Sequence, residues 1–420
     1  MRRRSAPAGP VGAGGFPMAV AGSPAQTPKG LGAAEPFSFA ETMNLVIIGL
    51  MAFLTVVDLF ATQALLPALT EKYAVSAAEM GVAVNATTLG MAAAGLLVAL
   101  VGQKLNRKWA IVLCLCALAV PTALLARAPD LASFAALRVV QGVLMATAFA
   151  LTLAHLGETC RASASPAAFA AYVTGNVASN LFGRMLAIAA ADGLGLEWNF
   201  YVFAALNIAG GALAFATISQ RSQAMSSSGA SALAGFLQHV RNPALLATFA
   251  IGFTILFAFI GVFTYINFEF AKPPLALPAA ALCLVYFVFA PSILTTPVAG
   301  ALVTRIGVRH GLWLGFSIAG LGLVLLSLKS LAPVLGGLCL VAIGTFLAQA
   351  IATGFTSRAG GAARAAASGL YLAAYFIGGL AGAAILGRLY VGYGWNMVLA
   401  GVAAALTLGA VLARALPKTR

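Results

Sequence analysis

The sequence predicts an all-α membrane protein with twelve transmembrane helices in two pseudo-symmetric six-helix bundles. Three observations carry that prediction. The 420-residue chain is 61% hydrophobic and only 8% charged, with a mean hydropathy of +0.99, whereas soluble domains carry about 25% charged residues. Its apolar residues gather into twelve runs, each near the roughly 20 residues that cross a bilayer as a helix. The polar segments between the runs also recur in the second half of the chain in the order they take in the first.

The runs fall at 45–67, 80–102, 109–127, 131–154, 167–191, 199–217, 245–268, 278–303, 311–328, 332–354, 365–388 and 395–413. In lipid every backbone polar group must be satisfied internally, so only helices and closed barrels can span, and unbroken runs of this length mean helices. Pro121, Pro291 and Pro297 sit inside runs, where neighbouring helices tolerate a kink. Residues 1–40 open with Arg2, Arg3 and Arg4 and continue in Pro, Gly and Ala without a continuous apolar stretch. They read as a disordered cytoplasmic tail rather than a cleaved signal peptide. Residues 41–217 then form the first bundle, 218–244 a cytoplasmic linker and 245–415 the second bundle, with 416–420 a short cytoplasmic tail.

The net charge of +14 does not point to nucleic acid, because Lys and Arg are scattered singly between apolar runs. With both termini inside, 17 of the 24 basic residues fall on the cytoplasmic side, as the positive-inside rule requires. The five cysteines (Cys114, Cys116, Cys160, Cys283, Cys339) lack the close spacing of a metal site and read as small buried hydrophobes. His155, His239 and His310 stand apart from any Cys or Asp cluster, and no phosphate-binding GxxxxGK[ST] loop is present. No enzyme, cofactor or metal is therefore expected, and ATP-driven transport is disfavoured.

The halves echo one another. Lys104-Leu105-Asn106-Arg107-Lys108 and Arg305-Ile306-Gly307-Val308-Arg309 stand 201 residues apart, Gly183-Arg184 and Gly387-Arg388 204 apart, and Trp198-Asn199 and Trp395-Asn396 197 apart. Paired halves with a site at their interface are the usual plan of secondary transporters.

Several motifs carry a family resemblance over residues 45 to 413. Asp58-Leu59-Phe60-Ala61-Thr62-Gln63-Ala64-Leu65-Leu66-Pro67 resembles a first-helix signature of the major facilitator superfamily, in its drug/proton antiporter branch of arabinose-efflux-permease-like proteins. That group's loop between helices 2 and 3 reads roughly G-x-L-x-D-R-x-G-R-K. Here Lys104 takes the Arg position and Arg107 and Lys108 close the motif, while Gln103 replaces the acid and Asn106 the Gly. The second copy keeps Gly300, Leu302, Arg305, Gly307 and Arg309 but has Thr304 for the acid. Arg138-Val139-Val140-Gln141-Gly142 matches the group's R-x-x-Q-G, and Gly175-Asn176 with Gly183-Arg184 resembles its fifth helix, although Ala178-Ser179-Asn180 replaces a glycine-rich stretch.

The resemblance implies a major facilitator fold in a bacterial inner membrane. It also implies a monomer that exports a small organic solute by alternating access in exchange for protons, with lipid as its other partner. Asp58, mid-span where a charge is expensive, is the proton carrier expected on this reading. Arg138 is expected as its tuning partner, since burial and a neighbouring cation act in opposite senses on a carboxyl group. Arg184 stands near enough to the fifth helix's outer end to snorkel, and an anionic substrate would give it a function.

Gln63, Asn85, Asn176, Tyr265, Asn267, Tyr371 and Tyr375, with Asn180 and Gln349, are the polar groups expected around a substrate cavity. Each alone is more often an interhelical hydrogen bond. With Phe263, Phe268 and Phe376, the aromatics suit an amphiphilic or aromatic solute. At the cytoplasmic gate, Lys104, Arg107, Lys108, Arg305 and Arg309 are expected to latch the halves. Gln103 and Thr304 offer no charge, leaving hydrogen bonds and Glu158. Glu269 is expected to be solvated. The missing acids and altered fifth helix also fit a uniporter or importer, and a non-transporting membrane receptor of the same fold is a third reading.

Overall fold

The computed structural model describes residues 39–101, 105–159, 165–218, 238–361 and 364–417, and among these it holds helices and turns but no strand. Span 1 is Phe39–Ala64 and span 2 is Ala77–Leu100, with a short helix, Leu66–Tyr73, between them. Spans 3 and 4 are Arg107–Leu125 and Leu131–Thr159. Span 5 runs as Ser165–Ala178, a π-turn at Ser179–Gly183, and Arg184–Leu194; span 6 is Leu196–Thr217. Span 7 is Pro243–Phe270, and spans 10, 11 and 12 are Leu331–Ala359, Arg364–Tyr393 and Trp395–Leu412.

Spans 8 and 9 share one apolar helical stretch, Ala281–Leu326, of 46 residues. At 1.5 Å per residue that is about 70 Å, twice a bilayer's hydrocarbon core. The break is Gly307, at φ 82° and ψ 166°, backbone that a residue with a Cβ avoids. Span 8 is therefore 279–306 and span 9 is 308–326. Span 8 is itself interrupted by 3₁₀ turns at Tyr286–Phe289 and Thr296–Val298. Pro291 and Pro297 lie in this stretch, and each removes a backbone donor from the helical ladder. The twelve spans coincide with the twelve apolar runs to within about six residues, except that the second, broken at Ala86, the fifth and the eighth are not continuous α-helices.

The two copies of the loop motif solve the same turn differently. Where the second uses Gly307, the first uses Asn106, whose φ is −65° and whose side chain caps span 3 by accepting from Trp109 N at 3.2 Å. Asn in place of Gly therefore buys a helix cap rather than a strained turn.

Within the first half, span 2 packs on span 4 and span 3 on span 6; within the second, span 9 packs on span 10 and span 7 on span 11. The halves meet where span 2 lies along span 11 and span 5 along span 8. Close approach sets the first of these packings. An added Cβ on Gly142 would run into Thr87 O, and one on Gly90 into Val139 O, so the Gly of the R-x-x-Q-G motif is required by backbone contact. Span 7 is buried along nearly its whole length and forms the aromatic centre of the second half, with Phe259 and Phe263 against Phe289 and Phe346.

Candidate functional site

Two buried polar networks occupy the interior. The first lies wholly in the first half, where spans 1, 3, 4 and 6 cross. Asp58 is 2% exposed. Its Oδ2 accepts from Thr122 Oγ1 at 2.8 Å, Asn207 Nδ2 at 2.8 Å and Gln141 Nε2 at 3.4 Å, while Oδ1 has no partner. The expected Asp58–Arg138 ion pair does not form. Arg138, fully buried, donates from Nε to Val84 O at 2.9 Å, from Nη1 to Gln141 Oε1 at 2.7 Å and to the Asp58 backbone carbonyl at 3.3 Å, and from Nη2 to Leu59 O at 3.4 Å. Gln141 stands between the two groups, its Oε1 accepting a hydrogen bond from the guanidinium and its Nε2 donating one to the carboxyl. The motif's Arg and Gln are three residues apart on one helical face, which is why both reach Asp58. Thr122 and Asn207 were not anticipated. Each is a single polar residue in an apolar run, and nothing in its spacing tells which of eleven other spans it faces.

The second network crosses the seam between the halves at the end where spans 1 and 7 finish, here called the far end. Arg184, a candidate substrate contact that stood near enough to its span's end to snorkel instead, is fully buried. Its Nη2 donates to Gln63 Oε1 at 2.6 Å and its Nη1 to Phe263 O at 3.3 Å, and Nε has no partner. Four rings stand around its Cζ: Tyr286 at 5.2 Å, Phe289 at 5.5 Å, Phe263 at 5.7 Å and Phe60 at 5.9 Å. Gln63 donates to Asn85 Oδ1 at 2.7 Å, and Asn85 to Thr264 Oγ1 at 3.3 Å across the halves. Asn267 donates to Gln63 O at 3.2 Å and accepts from Tyr286 Oη.

The remaining expected cavity residues divide. Tyr265 is not free to meet a solute: its hydroxyl donates to Ala383 O and sits where a Cβ on Gly81 or Gly387 would have to be, wedged between spans 2 and 11. Tyr371 and Tyr375 are buried and stacked, with centroids 6.0 Å apart. Asn176 is half-buried, and its carbonyl accepts from Ser179 Oγ at 2.6 Å. Glu269 is not simply solvated, for Tyr390 Oη donates to its Oε1 at 2.8 Å and Lys272 Nζ to that Tyr390 oxygen at 3.0 Å.

At the gate, Gln103, Lys104 and the side chain of Glu158 lie outside the described residues. The contacts described for Arg309, Lys108 and Thr304 stay within their own halves. Arg309 donates to Leu416 O, at 3.1 Å from Nε and 2.6 Å from Nη2, and to Arg414 O, tying span 9 to the end of span 12 in its own half. Such carbonyls, at a helix C-terminus, are unpaired and carry the negative end of the macrodipole. Lys108 sits over the Phe215 ring of span 6 at 4.6 Å, Thr304 donates to Ala301 O of its own helix at 2.7 Å, Arg305 is exposed and Arg107 is half-buried. Among the described residues no cluster of His, Cys, Asp and Glu could hold a metal ion.

The sequence of residues 48–294 matches the Major Facilitator Superfamily. The chain belongs to that superfamily. Relatives agree: the MFS-type transporter YybF of Bacillus subtilis (strain 168) is 24% identical over 372 residues, 86% of this chain and 91% of its own. The inner membrane transport protein YnfM of Escherichia coli (strain K12) is 22% identical over 407 residues, 93% and 95% of the two chains. Among solved structures, a bacterial homologue of the human lysosomal transporter Spinster, inward-facing and occupied, superposes with a TM-score of 0.68 at 13% identity over 90% of this chain and 97% of its own. The nucleoside transporter NupG does so at 0.68 and 14% identity, over 89% and 98%. The fold is thus that of the Major Facilitator Superfamily, and the protein is a multi-pass membrane transporter.

Proposed function

We propose that this transporter exports a small organic solute from a bacterial cell across the inner membrane by alternating access, in exchange for protons. Asp58 is the proton carrier and the seam around Arg184, Gln63, Asn85 and Asn267 belongs to the substrate site. One observation carries the reading. The Asp58 carboxyl is buried in a span with no cation on it; Oδ2 takes donors from spans 3, 4 and 6, and Oδ1 is bare. A buried carboxylate persists only with compensation, and a proton on Oδ1 removes the charge and turns the three charge-assisted bonds to Oδ2 into weaker bonds to a carbonyl oxygen. Protonation can then alter how spans 1, 3, 4 and 6 hold together, which is the kind of two-state element that alternating access needs. Both termini are placed in the cytoplasm on the charge bias of the loops.

The test is flux in proteoliposomes, with ethidium and benzoate as probe solutes of opposite charge. A pH gradient drives accumulation of one probe by the wild type, and Asp58→Asn exchanges that probe between compartments but no longer responds to the gradient. Accumulation that ignores the gradient in the wild type makes the protein a uniporter.

A further inference from the structure

Arg184 is a buried cation without a counter-charge. Among the described residues no carboxylate oxygen lies within ion-pair distance of it. Its acceptors, Gln63 Oε1 and Phe263 O, and the Tyr286 hydroxyl beside it are neutral, and Nε has no partner. Each ring contact returns about 0.5 to 2 kcal/mol, against an effective penalty of several kcal/mol for taking an ion out of water. An arginine cannot shed its proton to escape that penalty. The bonding deficit is local to this residue, since Arg138, equally buried and likewise without an ion pair, has every nitrogen bonded and the Asp58 carboxyl one glutamine away.

The backbone around it is built to aim it. The π-turn Ser179–Gly183 immediately precedes Arg184, and one extra residue turns the following side chain by about 100° relative to an unbroken α-helix. That turn packs against the 3₁₀ turn Tyr286–Phe289 of span 8, and Ser165–Ala178 packs against Ala290–Thr295. Both facing helices therefore leave α geometry at the same place. Four buried polar atoms without a partner lie on these two spans: Asn180 Oδ1, Arg184 Nε, Ser292 Oγ and Thr295 Oγ1. Unsatisfied buried groups are rare in native proteins; among the described residues half of them lie on these two spans, the others being Asp58 Oδ1, Asn199 Oδ1, Asn207 Oδ1 and Tyr371 Oη.

We infer that Arg184, ringed by Phe60, Phe263, Tyr286 and Phe289 at the span 5–span 8 seam, is an anion-recognition point and that the solute is an organic acid, a carboxylate on a flat apolar body. The inference rests on the reading of the seam as the substrate site. A carboxylate meets the guanidinium edge with two parallel bonds and supplies the missing charge, and the rings receive an apolar, planar remainder by offset or edge contact. An organic cation is disfavoured by the same field, because like charges in a low-dielectric site repel strongly; the acid on this seam, Asp192, is exposed near the end of span 5 beside Cys283, two helical turns beyond Arg184.

The test uses the full chain in detergent. Thermal shift and calorimetry are run with benzoate and cinnamate, their neutral amides, and benzyltrimethylammonium, all at millimolar concentration. The carboxylates raise the melting temperature of the wild type while the amides and the ammonium leave it unchanged. Arg184→Lys binds the carboxylates more weakly, and Arg184→Gln loses at least about tenfold in affinity. Ligand-free Arg184→Gln melts no lower than wild type, because the substitution removes an uncompensated charge. Stabilisation by the ammonium, equal stabilisation by acid and amide, no response of the wild type to either acid, or undiminished acid binding by Arg184→Gln overturns the inference. The comparison of acid with amide needs only the wild type, so a variant that fails to fold does not spare the proposal. Arg184-dependent binding without flux of either acid in proteoliposomes overturns the transport site reading and leaves the anion-recognition point standing.

Discussion

Arg138 and Arg184 are both fully buried, both inside spans and both beside Gln side chains, yet they are satisfied in opposite ways. Arg138 spends its donors on three backbone carbonyls, of Val84, Asp58 and Leu59, and on Gln141 Oε1. These acceptors come from spans 1, 2 and 4, so the guanidinium ties the first half to itself. Arg184 reaches Gln63 in its own half and Phe263 in the other, keeps one nitrogen bare and relies on four rings. A residue whose partners all lie in one rigid body stabilises that body. A residue whose partners lie in two bodies, and which is left incompletely bonded, reports on how those bodies meet and on what enters between them.

The largest test of this contrast is removal of each charge in turn. Arg138→Gln leaves buried carbonyls without donors, at about 1 to 3 kcal/mol for each, seen as a steep fall in melting temperature or loss of folded protein from the membrane. Arg184→Gln does not lower the ligand-free melting temperature. Equal losses at the two positions would collapse the distinction and make Arg184 a structural residue.

The next test moves from charge to backbone contact. In Gly142→Ala the new methyl meets Thr87 O inside the first half, where neither helix can give way cheaply, and stability falls by about 1 to 3 kcal/mol. In Gly81→Ala the methyl of span 2 meets the Tyr265 hydroxyl of span 7 across the seam, and the halves can separate to relieve it. Gly81→Ala is thus expected to retain most of its thermal stability while a cysteine placed at the far end gains reactivity toward a water-soluble maleimide. The same labelling of Gly142→Ala stays at the wild-type rate.

How much of this was legible beforehand follows the same divide. The twelve spans were readable because lipid forces each to be one continuous apolar run, and length alone counts them. Asp58 and Arg138 were readable as candidates because a charge inside such a run is rare. Their relation was not: Gln141 is quoted in the motif as a spacer-and-glycine pattern, and only the fold shows that its amide bridges the two charges. Thr122 and Asn207 could not be found, since a hydroxyl or amide in an apolar run points to some neighbour without naming it. The burial of Arg184 depends on the π-turn before it, and Ser179-Asn180-Leu181-Phe182-Gly183 carries no pattern that announces such a turn. Tyr265 was misjudged for a related reason: small residues on two other spans, Gly81 and Gly387, decide that its ring fills the seam rather than a cavity.

The smallest effect sets the baseline for the others. Asp130 is a charge at the rim of the first half, outside the spans, where its Oδ1 caps span 4 by accepting from Ser133 N at 2.7 Å. The backbone Ser133 N–H, with lesser help from the Ser133 side chain and the Ala132 N–H, holds its carboxyl below the usual carboxylate value. A carboxyl lowered on folding contributes stability that is full above its unfolded value, about 3.9, and is lost as pH falls through the folded one. Asp130→Ala should therefore cost a small drop in melting temperature at neutral pH that shrinks as the medium is acidified below that value. The deficit of Arg138→Gln should not shrink in that way, because an arginine stays charged throughout and its bonds to carbonyls do not titrate. If the two deficits fade together, acid is loosening the whole first half, and the separate accounts of rim and interior charge both fail.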